Sequence, residues 1–81
     1  MKHVFLKFFL EQLESYPIAV QKKFQKQLMF LLADIRHPSL HAKKYDESRA
    51  IWQARVNKDF RFYFLIEKDT YILIGTRKHP K

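Results

Sequence analysis

Residues 51–77 read IWQARVNKDFRFYFLIEKDTYILIGTR, and their hydrophobic period is two. Three runs, Ile51–Val56, Phe60–Glu67 and Tyr71–Arg77, are rich in aromatic and β-branched residues and are separated by Asn57-Lys58-Asp59 and Lys68-Asp69-Thr70. Alternation of this kind between polar breaks predicts a three-stranded antiparallel meander. Upstream the period changes. Val20, Phe24, Leu28, Leu31, Leu32 and Ile35 recur at helical spacing, with Gln21, Lys22, Lys23, Gln25 and Lys26 on the other face, which predicts a helix from Ile18 to about Ile35. Phe9, Leu13 and Tyr16 predict a shorter helix closed by Pro17, so the two form a hairpin. Lys2 to Leu6 reads as a short strand that joins the sheet as a fourth member. Arg36 to Ala50, RHPSLHAKKYDESRA, has no period and carries Pro38. It reads as a loop, long for so small a chain and therefore a candidate for function. The expected fold is α+β: a short N-terminal strand, a two-helix hairpin, then a three-stranded antiparallel meander, with the helices packed on one sheet face in a single domain spanning residues 1–81.

Composition narrows the chemistry. The 81 residues include 16 Lys and Arg against 8 Asp and Glu, a net charge of +8, with one Gly and no Cys. No disulfide framework, thiolate nucleophile or zinc knuckle is available, and a lone Gly75 excludes a glycine-rich phosphate loop. A hydrophobic fraction of 47% is that of a folded body, so the charge sits on a globular surface and not on a disordered basic tail. The longest apolar run, Leu28 to Ala33, is far short of the roughly 18 residues of a membrane span. The N-terminal apolar stretch is interrupted by Lys7 and Glu11 and lacks a small-residue cleavage site, so the chain is expected to be unprocessed and cytoplasmic. Residues 1–35 hold five Lys against three acids, and residues 36–81 hold eleven Lys and Arg against five. The excess lies in the C-terminal part.

Sorting the strands by face locates it. Trp52, Ala54, Val56, Phe60, Phe62, Phe64, Ile66, Ile72 and Ile74 fall on the side expected to meet the helices. Gln53, Arg55, Arg61, Tyr63, Leu65, Leu73, Gly75 and Arg77 fall on the other. With three-residue turns at Asn57–Asp59 and Lys68–Thr70, Arg55 stands opposite Arg61 and Arg61 opposite Arg77, and a two-residue second turn would move Arg77 to the core side. Like charges directly opposed across a sheet are unfavourable, so a row of three guanidiniums suits a bound polyanion, phosphate above all; surface arginines that merely solubilise the sheet are the plainer alternative. His79, two residues past Arg77, would place an imidazole at the end of the row. Lys43, Lys44 and His41 add charge in the preceding loop, Lys78 follows Arg77, and Tyr63 offers a ring for base stacking, a combination that suits RNA. His37 and His41 have the spacing of a metal pair, but Pro38 lies between them and no third ligand is evident, so no metal and no cofactor is expected. A carboxylate proton acceptor is open among Asp46, Glu47, Glu67 and Asp69.

Beyond composition, FLEQLESYPIAVQKKFQKQL, RHPSLHAKKY and IWQARVNKDFRFYFLIEKDTYILIGTRKH resemble the RelE/ParE superfamily of type II toxin–antitoxin toxins across essentially the whole chain. The specific part is Ile51-Trp52 with Ala54-Arg55-Val56, Phe60-Arg61, and Ile74-Gly75-Thr76-Arg77; HPSLHAKK is similar to RelE/HigB-like members. The resemblance implies a toxin that cleaves mRNA on the ribosome, with ribosomal RNA contacts and without metal, through attack of a ribose 2′-OH on the adjacent phosphate. Arg61 would stabilise the transition state, Arg77 would assist it and Arg55 would orient the phosphate. His79 matches the histidine that in YoeB-like members protonates the leaving 5′-oxygen. Glu47 or Lys44 stand as candidate bases, and Pro80 stands where several relatives carry a tyrosine. The expected partner is a cognate, acidic antitoxin. A ParE-like inhibitor of DNA gyrase and a non-catalytic RNA-binding relative are the alternatives.

Overall fold

A computed structural model describes residues 1–79; Pro80 lies outside them. The elements run β1 (Lys2–Phe5), α1 (Lys7–Glu14), α2 (Ile18–Ala33), a 3-10 turn (Pro38–Leu40), β2 (Lys43–Asp46), β3 (Ile51–Arg55), β4 (Phe60–Glu67) and β5 (Thr70–Lys78). They form one sheet in the order β1-β5-β4-β3-β2, with β1 parallel to β5 and the other pairs antiparallel. The meander, the helix pair and the N-terminal strand are as expected. β2 is a fifth strand inside the segment read as a loop. Its sequence, KKYD, has no apolar alternation, so the strand exists by pairing with β3, Lys43 opposite Gln53 and Lys44 opposite Trp52. A register shift between Lys44 and Asp46 then bends it.

The core lies between the helices and one face of the sheet. Phe9 of α1, Phe24 of α2, Phe62 and Phe64 of β4 and Tyr71 of β5 are buried and pass ring to ring at centroid separations of 5.2–5.8 Å, in the tilted and edge-on geometries that aromatic quadrupoles favour. α2 buries Val20, Phe24, Gln27 and Leu31 at helical spacing. Its buried amide is structural: Gln27 Nε2 donates to the carbonyls of Ser39 and Arg55 at 3.0 and 2.9 Å, tying the 3-10 turn and the end of β3 to the helix. Gln12 of α1 does the same for β5. Past Leu73, where β1 stops pairing, the Gln12 amide accepts from Thr76 N–H at 2.8 Å and donates to Thr76 C=O at 3.2 Å, satisfying a strand edge that would otherwise be open.

The arginine register holds, by a different route from the expected turns. The β4–β5 turn has two residues, Lys68 and Asp69, with Glu67 opposite Thr70 and Lys68 at φ 54°, which alone would send Arg77 to the core side. A bulge reverses this. Tyr63 pairs with Gly75 but Phe64 pairs with Leu73, so Ile74 is an extra residue and the alternation of β5 changes phase there. Arg61 therefore pairs with both Arg55 and Arg77. The same bulge overturns two face assignments: Leu73, expected on the outer face, is fully buried, and Ile72, expected in the core, lies outside opposite Leu65. Ile66 is likewise more exposed than a core residue. At the β3–β4 turn Asn57 supplies what a glycine would have supplied: its Oδ1 accepts from Asp59 and Phe60 N–H at 2.8 and 2.9 Å.

A candidate phosphate-binding cleft

On the face turned away from the helices, the C-terminal ends of β3 and β5, the start of β4 and the loop after the 3-10 turn enclose a cleft of about 440 Å³ lined by His41, Lys43, Gln53, Arg55, Arg61 and His79. Each side chain is placed by a separate cause. Arg55 is carried on the strand end pinned by Gln27. Arg61 is 8% exposed, and its guanidinium donates to the carbonyls of Asn57 and Phe60 at 2.7 and 3.1 Å. Burial first, and the charge of Arg55 second, lower its pKa from the ordinary arginine value. His79 follows β5, and its backbone N–H donates to the Asp59 carbonyl at 2.6 Å, docking it against the β3–β4 turn. His41 ends the 3-10 turn in the left-handed region, φ 47° and ψ 41°, an unusual conformation for a residue with a Cβ.

Among the described residues no carboxylate forms an ion pair with these cations. Among the described residues the ion pairs are Lys2–Asp69, Arg36–Asp34 and Arg49–Asp46, none of which touches the cleft. The Arg55 Nε–H is buried and has no hydrogen-bond partner among the described residues. A buried unsatisfied donor costs about 1–3 kcal/mol, more when charged. Two guanidiniums in register across β3 and β4, with no described carboxylate paired to them and one donor unused, form a site whose electrostatics an arriving phosphate would satisfy.

The other expected site residues divide. Lys43 lines the cleft, but Lys44 does not: it pairs with Trp52, and its ammonium sits 5.3 Å from the indole centroid on the opposite sheet face. Lys78 stands opposite Phe60, whose ring packs on Tyr16 on the helical side, so it too leaves the arginine face. Glu47 is exposed in the β2–β3 turn, where its carbonyl accepts from Ala50 N–H, and does not line the cleft. Arg77 is in register with Arg61 but turns away, donating to the Tyr45 hydroxyl at 3.3 Å. Tyr63 bridges the two arginine settings: its hydroxyl donates to Gln53 Oε1 at 3.2 Å and its ring meets Tyr45 edge-on at 4.9 Å. Burial raises its pKa. His37 is structural, stacked on Phe30 at 3.8 Å with Nδ1 accepting from Ser39 N–H. Among the described residues no three His, Asp or Glu groups converge as metal ligands. His41 is the cleft residue that the sequence offered only as loop charge and as half of a metal pair with His37; its neighbourhood with His79 is set by folding, and 37 intervening positions conceal it.

No family model matches the chain and no curated sequence is significantly similar to it. Solved structures are. A YoeB/ParE toxin from Agrobacterium tumefaciens superposes with a TM-score of 0.81 at 14% identity, covering 99% of this chain and 100% of that one. The RelE of an archaeal RelE–RelB complex from Pyrococcus horikoshii gives 0.80 at 15% identity over 95% and 92%. A YoeB–YefM toxin–antitoxin complex from Staphylococcus aureus gives 0.77 at 12% identity over 99% and 98%. The chain has the RelE/ParE toxin fold. In the RelE-like frame, the cleft lies at the C-terminal end of β3 and β5, against the loop that precedes β2. No helix among the described residues is long and apolar enough to cross a membrane.

Proposed function

We propose that this protein is the toxin of a type II toxin–antitoxin system and that it cleaves mRNA on the ribosome, without metal, by making the RNA attack itself. The observation that carries this reading is the pair Arg55 and Arg61, held in one cleft with two imidazoles and, among the described residues, no carboxylate. The RelE-like fold supports it at the level of architecture.

In the proposed reaction His41 takes the proton of the ribose 2′-OH as the oxygen attacks the adjacent phosphorus. The pentacoordinate dianion forms against the guanidiniums of Arg55 and Arg61, preorganised donors of the kind typically worth a few kcal/mol of barrier each. The bond from phosphorus to the 5′-oxygen breaks, and His79 gives that oxygen its proton. The products are a 2′,3′-cyclic phosphate and a 5′-hydroxyl. The assignment of His41 replaces Glu47 and Lys44, which the fold directs elsewhere, and imidazole is the side chain best suited to exchange a proton near neutral pH. Lys43 and Arg77 hold flanking phosphates. The proposed partner is an acidic antitoxin that covers the cleft, opposite in charge to the +8 chain.

Inducible expression in bacteria tests the reading. Wild type is expected to arrest growth and to leave transcript ends inside translated codons by primer extension, and Arg61→Ala and His79→Ala to abolish both. Altered DNA supercoiling without such cuts would assign the chain to gyrase inhibition instead.

A further inference from the structure

Beside the cleft, under Arg77, lies a second depression of about 260 Å³ with an apolar lining that includes Phe8, Ile51, Tyr45, Tyr63 and Gly75. We propose that this pocket is a nucleobase slot, receiving by stacking one base of the RNA strand whose phosphate lies on Arg55 and Arg61. The proposal rests on the nuclease reading above.

Its walls come from elements far apart in the fold. Phe8 is presented by α1 and is 61% exposed, and Tyr45 is presented by β2, at the opposite edge of the sheet from β1, and is 48% exposed. Single exposed apolar side chains need no explanation, but two aromatic rings reaching one depression over a third, Tyr63, do. The floor is Gly75. It is cross-strand partner to Tyr63, so any side chain there would project on the same face and fill the depression. Its backbone does not require glycine, because no glycine has positive φ, and a Cβ would meet nothing closer than Gln12 Oε1 at 3.4 Å. The chain's single glycine therefore keeps a floor open.

Three observations favour a base as the occupant. The volume is below the roughly 300 Å³ at which pockets for drug-sized ligands begin, which fits one planar ring system. The rim carries Arg77, fixed on the Tyr45 hydroxyl at 3.3 Å, and a guanidinium beside aromatic faces is the usual composition of a sequence-tolerant stacking platform. A hydrogen bond also ties the pocket to the phosphate cleft. Tyr63 forms its wall and hydrogen-bonds Gln53 of the cleft. Arg61 and Tyr63 stand two residues apart on one strand face, about 7 Å, which is the scale separating a nucleotide's phosphate from its base.

The test is an NMR titration of the chain with 2′-O-methyl trinucleotides, which cannot supply the attacking hydroxyl, in parallel with three versions abasic at one position each. The slot predicts shifts of the Phe8, Tyr45 and Tyr63 ring resonances and of the Gly75 amide together with the Arg55 and Arg61 side chains. One abasic version should bind about tenfold more weakly. Tyr45→Ala, at an exposed position, should lose a similar factor and show no further loss with that abasic version, and Gly75→Val should behave alike by filling the floor. Arginine shifts with silent pocket resonances, or an abasic penalty that persists undiminished in Tyr45→Ala, overturns the slot and leaves the nuclease reading standing. Silence at both sites overturns both. Pocket shifts produced by an apolar acidic peptide, and not by any trinucleotide, assign the depression to a protein partner and overturn the base.

Discussion

Arg61 concentrates the conflict that makes the site reactive. It is buried beside Arg55, its guanidinium donates to two backbone carbonyls, and burial lowers its pKa from the ordinary arginine value. Arg61→Ala should change stability by no more than about 1 kcal/mol, because relief of the Arg55 repulsion offsets the lost hydrogen bonds. Cleavage of ribosome-bound mRNA should fall by at least about 100-fold, and urea denaturation run beside the cleavage assay separates the two effects. His41 permits a cleaner substitution. Its left-handed backbone is one that glycine adopts freely, so His41→Gly removes the imidazole without straining the turn. The variant should be as stable as wild type or more so, cleave slowly, and recover activity when free imidazole is added. A stable variant that cleaves at the wild-type rate would remove His41 from the mechanism.

At the scale of elements, the site depends on small irregularities. Alternation read from residues 51–77 places Arg61 between Arg55 and Arg77, and the structure pairs them so, yet the turn and the bulge that achieve it are not visible in the sequence: Ile74 is one more apolar residue in the run Ile72-Leu73-Ile74. β2 is invisible for the opposite reason, since Lys43, Lys44 and Asp46 carry no apolar signal and the strand forms only because β3 presents an edge. Gln27 and Gln12 sit at helix positions where the pattern expects apolar or solvated residues, and their buried amides serve backbone groups that no local pattern reveals. Gln27→Leu should therefore cost about 1–3 kcal/mol by stranding the Arg55 and Ser39 carbonyls, read as a lower urea midpoint. Lys68→Gly should raise the midpoint, by up to about 1 kcal/mol, because Lys68 occupies a left-handed position. The β2–β3 turn carries its own pH signature. Hydrogen bonds from Ser48 first, then Arg49, hold the Asp46 pKa down to about 2. A carboxylate depressed in the folded state contributes stability above its unfolded value, and that contribution is lost as pH falls through the folded one. The Asp46 carboxyl resonance should accordingly titrate near 2, below the ordinary aspartate range.

For the molecule as a whole, the +8 charge resolves into a distribution with one chemically distinct region. Most of the lysines are solvated and exchangeable; Arg55 and Arg61 are held in one cleft, unpaired by carboxylates among the described residues and flanked by imidazoles. RNA binding should weaken with salt at a slope of roughly −0.7 for each phosphate neutralised, and Arg77→Ala should reduce the slope by about one such contact. The sheet, the helix hairpin and the arginine row were legible because they follow from periodicity. The His41–His79 juxtaposition was not, because it depends on where a 3-10 turn ends relative to the last strand. The central claim is that this cleft breaks RNA by using the ribose's own hydroxyl. The most direct measurement supplies purified protein with ribosomes programmed by an all-ribose mRNA or by the same mRNA carrying a single 2′-deoxy nucleotide at the mapped cut position. The account predicts that the all-ribose message is cut to a 2′,3′-cyclic phosphate and a 5′-hydroxyl and that the deoxy message survives at that position. An uncut all-ribose message, or cleavage of the deoxy message at the same bond, would contradict it.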